Sequence, residues 1–365
     1  MFKRIGLFVA AISVLVLAYL LTWPVPVSPV AWDAPQDLGL VDPFEANDRL
    51  AKVVLIDLGE HESPEDIAGR DGFIYASTLG GKVIRMRNDG SGQQVFADTG
   101  GRPLGIEFDH KGNLLVANAR LGLQQVTADG AVTTLLAESS PGEPVYPNDV
   151  AVAMDGRIYF SESSSKFSGA KYADSYDASL LAIIEHGGHG RIFEFDPESG
   201  QTRVIMSGLN YANGVAISDD QQFLLVSETA GYRIWRHALQ GPDRGQSTIV
   251  LDNLPGFPDN INNGLNGRFW IGLVAPRNEL VDRLSDKPWA RKVILRLPQA
   301  IRPAAKKSSH IIGIDGNGTV LMNLQDTAAV YPSITGVYET REALFLSSLF
   351  GNRIARLDKT SLAVK

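Results

Sequence analysis

The chain contains no cysteine among its 365 residues. No disulfide ties the fold, and no thiolate is available as a nucleophile or zinc ligand. Positive charge in concentrated form is lacking too. The formal net charge is −7 and no long basic run stands out, which argues against a nucleic-acid partner, because phosphate binding wants a basic surface. The Gly-x-Ser-x-Gly of a nucleophile elbow is absent, so a serine triad is not expected. What remains is a chain long enough to bury a sizeable core.

The N-terminus carries the one long apolar run. Lys3 and Arg4 precede Ile5 to Leu21, and Trp23 follows. Seventeen helical residues span roughly 26 Å, near the lower limit for crossing a bilayer. Basic residues favour the cytoplasmic side and tryptophan the far interface. Residues 1–22 therefore read as a signal-anchor helix that puts the rest of the chain outside the cytoplasm. A cleaved signal peptide is the alternative, but no small-x-small site follows the run. Residues 23–43 hold Pro24, Pro26, Pro29, Pro35 and Pro43 and read as a stiff spacer. The domain proper is expected over 44–365.

Within that domain one unit recurs: a short apolar strand, an Asp-Gly-like turn, a strand, another turn and a further strand. Taking Gly72, Gly112, Gly156, Gln222, Gly267 and Glu342 as equivalent gives steps of 40, 44, 66, 45 and 75 residues. The base step suits one four-stranded blade. Insertions near 163–190 and 275–310 account for the two long steps. The expected fold is all-β: a six-bladed β-propeller preceded by a single N-terminal transmembrane helix. The segment at 47–58 is expected to complete the last blade and close the ring.

Polar residues stand just before each inner strand, some 7 to 9 residues before its unit's turn, in phase with the repeat. Glu65 is in HESPEDIAG, Asn148 in YPNDVAVAMDG, Asn213 in YANGVAISDD, and Asp259 and Asn260 in GFPDNINNGLNG. A propeller brings equivalent positions of its blades to the central channel. Two carboxylates and three amides meeting in a dry core are costly without partners, and a hard cation satisfies them. All-oxygen donors suit calcium or magnesium, and the mixed, flexible set favours Ca2+ over Mg2+. Taken singly, each Asn-Asp or Asn-Gly is an ordinary turn; the shared phase is what singles them out. Asp259 is the acid–base candidate by position, and Asp149 a second. His186 and His189 flank Gly-Gly and read as loop structure. Ser161, Ser163, Ser164 and Ser165 read as a strand end.

At these residues the chain resembles the strictosidine-synthase-like propellers, with the gluconolactonase and paraoxonase groups as wider relatives. The resemblance runs from about residue 44 to 358 and rests on GRPLGIEFDHKGNLLVANARLGL, PNDVAVAMDGRIYFSESSSKF, NGVAISDDQQFLLVSETAGYRIWR, LPGFPDNINNGLNGRFWIGL and KPWARKVILRL. It implies a central calcium held by Glu65, Asn148, Asn213 and Asp259, joined by Asn260 in the paraoxonase-like version, and hydrolysis of small esters or lactones. Two positions depart from relatives. Thr335 stands where the condensing synthases carry a catalytic glutamate, which argues against strictosidine synthesis. Leu104 stands where paraoxonases carry a histidine.

Two functions follow as expectations. The first is a calcium-dependent arylesterase or lactonase acting on a small-molecule ester or lactone, with the metal under a pocket walled by residues such as Phe167, Tyr172, Phe257 and Trp289. The second is a membrane-anchored binding or scaffold propeller with a structural calcium.

Overall fold

The computed structural model describes residues 2–172, 174–302 and 305–362. Six four-stranded antiparallel sheets follow one another along the chain. Blade 1 runs from strand Ile67–Arg70 to Gln94–Asp98, and blade 2 from Pro103–Phe108 to Val132–Leu136. Blade 3 runs from Pro147–Val152 to Thr202–Leu209, and blade 4 from Ala212–Ile217 to Ser247–Leu251. Blade 5 runs from Gly256–Asn263 to Val320–Asp326. Blade 6 takes three strands from Ile334–Asp358 and its outermost from Val54–Asp57. That last pairing, Val54 to Arg356 through Asp57 to Arg353, is the predicted closure.

The turns that mark the repeat join the first and second strands of each blade. Asp71-Gly72 and Asn266-Gly267 both carry positive φ at their two central residues, the backbone a two-residue hairpin needs. Most second strands are buried along their whole length, as in Leu114–Asn118, Phe223–Glu228 and Ala343–Ser348. They are buried because neighbouring blades cover both faces, so the alternation of a half-exposed strand is lost.

Five of the six first strands share an irregularity. The pairing register shifts between Pro103 and Ile106, Pro147 and Val150, Ala212 and Val215, Pro258 and Ile261, and Ile334 and Val337. Two residues escape the ladder in each: Leu104-Gly105, Asn148-Asp149, Asn213-Gly214, Asp259-Asn260 and Thr335-Gly336. In blade 1 the corresponding Glu65-Asp66 lies just before the strand. A bulge of this kind re-aims side chains.

Helix α1 covers Phe2–Thr22 and has no buried residue; it is long and apolar enough to cross a membrane. The two insertions hold α2 (Ser175–Glu185), α3 (Glu279–Arg283) and α4 (Pro288–Arg296). The proline-rich segment, expected as a stiff spacer, packs against the propeller along part of its length. Val27 is only 2% exposed and packs with Leu104, Tyr146, Phe167, Ala178, Ala182 and Tyr211. Trp32 stacks on His186 at 3.9 Å, and the Val30 amide donates to the Glu185 carbonyl at 2.8 Å. Prolines removed the local donors, and tertiary contacts hold the strap instead.

Candidate functional site

The paired residues freed by the bulges divide their work. The second member of alternate pairs clasps the next blade. Asp66 accepts the Ile106 amide at 2.9 Å, and Asp149 the Val215 amide at 2.9 Å. Asn262 takes this part in blade 5, accepting the Val337 amide at 2.8 Å and donating to Asp66 at 3.0 Å. Blades 1, 3 and 5 thus grip blades 2, 4 and 6. The other oxygen of Asp149 accepts the Val150 amide at 2.8 Å. With one oxygen on the next blade and the other on its own strand, Asp149 is a structural clasp and not the second acid–base group. Gly214 permits the matching approach of blades 4 and 5: a Cβ there would sit 2.2 Å from the Ile261 nitrogen.

The first members of blades 1, 3, 4 and 5, with Asn260, meet at the centre. Asn213 donates to Asp259 at 2.5 Å, and Asn260 donates to Glu65 at 3.3 Å and to its backbone carbonyl at 3.1 Å. Asn148 donates to Ser163 at 2.7 Å and reaches the Tyr211 hydroxyl at 3.5 Å. Asn213 also donates to Thr229 at 3.1 Å, and Thr229 to the Pro258 carbonyl at 2.7 Å. Each amide nitrogen is therefore turned to a protein acceptor. The oxygens are left over. Asn148 Oδ1, Asn213 Oδ1, Asn260 Oδ1 and Glu65 Oε2 are buried and accept nothing.

Four such orphaned acceptors at one place are unusual, because buried polar atoms are nearly always paired. Among the described residues no three His, Cys, Asp or Glu side chains gather into a metal-type cluster. The donors here are two carboxylates with three amides, the hard oxygen set that calcium takes.

Burial makes charge expensive at this centre. It raises Glu65 well above the usual carboxylate range, with Asp259 and Asp66 adding repulsion. Burial also raises Asp259, to about 7, against the Asn213 hydrogen bond that lowers it. Arg102 offsets Glu65 only in part. It is 2% exposed and donates to the Ser63 carbonyl at 3.0 Å.

Sequence reasoning did not find Arg102, Tyr146 or Tyr211. The two tyrosine hydroxyls are 3.0 Å apart, and Tyr146 reaches the Ser175 carbonyl of α2 at 3.3 Å. They separate the centre from the helical insertion, which lies over this mouth. Their signal was their place one or two residues before the bulges. Ser163 links Asn148 to the Ala212 carbonyl at 2.9 Å, and Ser161 accepts the Asp149 amide at 2.9 Å, so these serines order the site.

Of the expected pocket walls, Phe167 is fully buried above the centre, with Tyr172 against it at 5.7 Å. Phe257 packs on Tyr232 in a blade core, and Trp289 is 65% exposed; neither walls the centre. His189 bonds Glu185 at 2.7 Å while His186 stacks on Trp32, so they form no metal pair. Thr335 donates to the Glu65 carbonyl at 2.5 Å, and Leu104 is packed in apolar surroundings.

Residues 148–242 match the strictosidine synthase family, and residues 42–86 the N-terminal part of strictosidine synthase-like proteins. Adipocyte plasma membrane-associated protein of Salmo salar is 31% identical over 359 residues, covering 89% of this chain and 83% of the relative. Strictosidine synthase-like protein 6 of Arabidopsis thaliana is 33% identical over 322 residues, covering 86% and 83%. The chain belongs to the strictosidine synthase-like family. Solved propellers share its fold. A gluconolactonase from Xanthomonas campestris aligns with TM-score 0.60 at 19% identity, covering 91% of this chain and 98% of that one. A calcium-binding regucalcin from Agrobacterium tumefaciens aligns with TM-score 0.56 at 13% identity, covering 82% and 92%.

Proposed function

We propose that this family member is a calcium-dependent hydrolase of small carboxylic esters or lactones, anchored by α1 with its propeller outside the cytoplasm. The observation that carries the reading is the set of four unpartnered oxygens on the axis. Glu65, Asn148, Asn213, Asp259 and Asn260 would hold the ion. When bound, calcium supplies polarisation of an ester carbonyl and compensation of the Glu65 and Asp259 charges.

The chain's own residues do the rest. Asp259, at 6% the most exposed of the set, has one oxygen held by Asn213 and holds or releases a proton at the other. A bound cation would lower its pKa, so Asp259 would act as a carboxylate that accepts a proton. Arg102 is placed to balance charge beside Glu65. Tyr146, Tyr211 and Phe167 exclude bulk water from the same mouth. A gluconolactonase among the propellers of the same fold and a plasma membrane-associated protein among the relatives support the substrate class and the anchor.

A second reading has its own observation. All five central residues are 0–6% exposed, which suits a calcium that only fastens the blades of a binding or scaffold propeller. One experiment separates the two. The full chain is assayed on a panel of aryl esters and lactones with calcium, then with chelator. Calcium-dependent turnover that is lost in Asp259→Ala supports the hydrolase. A folded, calcium-loaded chain that turns over nothing on the panel hands the case to the scaffold.

A further inference from the structure

The segment 287–307 was not visible as a basic run because its charges are spaced. It carries seven Lys or Arg and no Asp or Glu, in a chain of net charge −7. The described part forms α4 and a following 3-10 turn, Gln299–Ile301. Trp289 is 65% exposed and Ile301 64%. Arg291 and Arg296 are buried; the remaining basic side chains, beside exposed tryptophan and isoleucine, fit the headgroup region of a bilayer.

A second, independent contact says where α4 stands. Arg296 donates from Nε to the Trp23 carbonyl at 2.6 Å, and from its guanidinium to the Leu20 carbonyl at 2.8 Å. These are the last-turn carbonyls of α1, which a basic group complements. If α1 spans the membrane, its end at Trp23 lies at the interface, and α4 is one side chain away. Arg291, from the same helix, donates to the carbonyls of Ile184 at 2.9 Å, Ser285 at 3.1 Å and Val30. The same helix is thereby fixed to α2 and to the strap over the central mouth.

We infer that α4 together with Arg302, Lys306 and Lys307 forms an anionic-lipid docking surface, which lays the α2-covered mouth of the propeller on the bilayer. The inference rests on α1 being a membrane anchor. It does not depend on the hydrolase reading.

The test uses the full chain in nanodiscs, either of pure phosphatidylcholine or with about one-third phosphatidylserine. Amide exchange over 287–302 is expected to slow at least about fivefold in the anionic discs, the order one basic residue contributes at such a surface. The triple variant Lys292→Glu, Lys306→Glu, Lys307→Glu leaves the Arg291 and Arg296 contacts in place and is expected to lose that slowing. Exchange in the second strands of the blades checks that it is folded. Bromine-labelled lipid is expected to quench wild type more than Trp289→Phe. Equal exchange in both lipids, or slowing that survives the triple variant, overturns the docking surface. A chain that does not enter nanodiscs overturns the anchor, and the docking surface with it.

Discussion

The blade body and the cover over its mouth are held together in different ways. In the body one device repeats: a bulge aims one side chain at the axis and, in alternate blades, a neighbour clasps the next sheet. In the cover, three segments remote in sequence meet only once. Residues 24–44, α2 and α4 are joined by Arg291, by the stack of Trp32 on His186, and by Glu185, which accepts from Lys166 at 2.6 Å and from the Ser28 amide at 2.6 Å. Repetition makes the body cooperative, whereas the cover hangs on a few charge-assisted contacts and is the part able to open separately.

Breaking a clasp should have the largest effect. Asp149→Leu leaves the buried Val150 and Val215 amides without an acceptor. A loss of about 3–5 kcal/mol is expected from two orphaned donors, read as an earlier denaturant midpoint, while Asp149→Asn keeps one acceptor and loses less. Calcium should come next. At a hundredfold excess over its Kd it adds about 2.7 kcal/mol, measured as a melting shift reversed by chelator. The gap should widen with pH. Glu65 and Asp259 have raised pKa values in the metal-free fold, so that fold is favoured below the ordinary carboxylate value and loses stability as pH rises toward about 7. The calcium-loaded protein escapes this loss. No widening between pH 5 and 8 would remove the carboxylates from the ion's shell.

Acid should strike through two histidines. Burial holds His186 and His310 down to about 4. Between about 6.5 and 4 the unfolded chain takes protons that the folded chain refuses, so stability falls as pH drops. By pH 5 the loss is on the order of 2 kcal/mol for each, and His310→Gln should flatten the profile.

Arg291→Ala sharpens the contrast between body and cover. It should cost about 2 kcal/mol of local stability, seen as faster amide exchange in 24–32 and α2 with the blade strands unchanged. Equal acceleration in the blades would mean that the two regions unfold as one. The smallest effect is expected at Thr335→Val, which removes one of the two donors to the Glu65 carbonyl, leaves Asn260 as the other, and costs about 1 kcal/mol in a melt.

Much of the body was legible because phase is a local property. The step of about 40 to 45 residues, the Asp-Gly turns and the closing strand at Val54–Asp57 are written in neighbouring residues. So were Glu65, Asn148, Asn213, Asp259 and Asn260, which stand out only because they recur at one point in the repeat. Asp149 was misread because Asn-Asp looks like two equivalent polar residues. The pleat sends them to opposite partners, and which neighbour receives the second depends on the adjacent blade.

The sequence by itself therefore determined the propeller and its blade count, and it singled out five polar residues in phase with the repeat. Tertiary structure alone decided that the amide nitrogens are taken up by Ser163, Thr229, Asp259 and Glu65 and that the amide oxygens are left without a partner. It alone decided that the strap, α2 and α4 share one mouth. Both depend on contacts between segments tens to hundreds of residues apart. Such contacts are set by the closure of the whole ring, and no local pattern of residues encodes them.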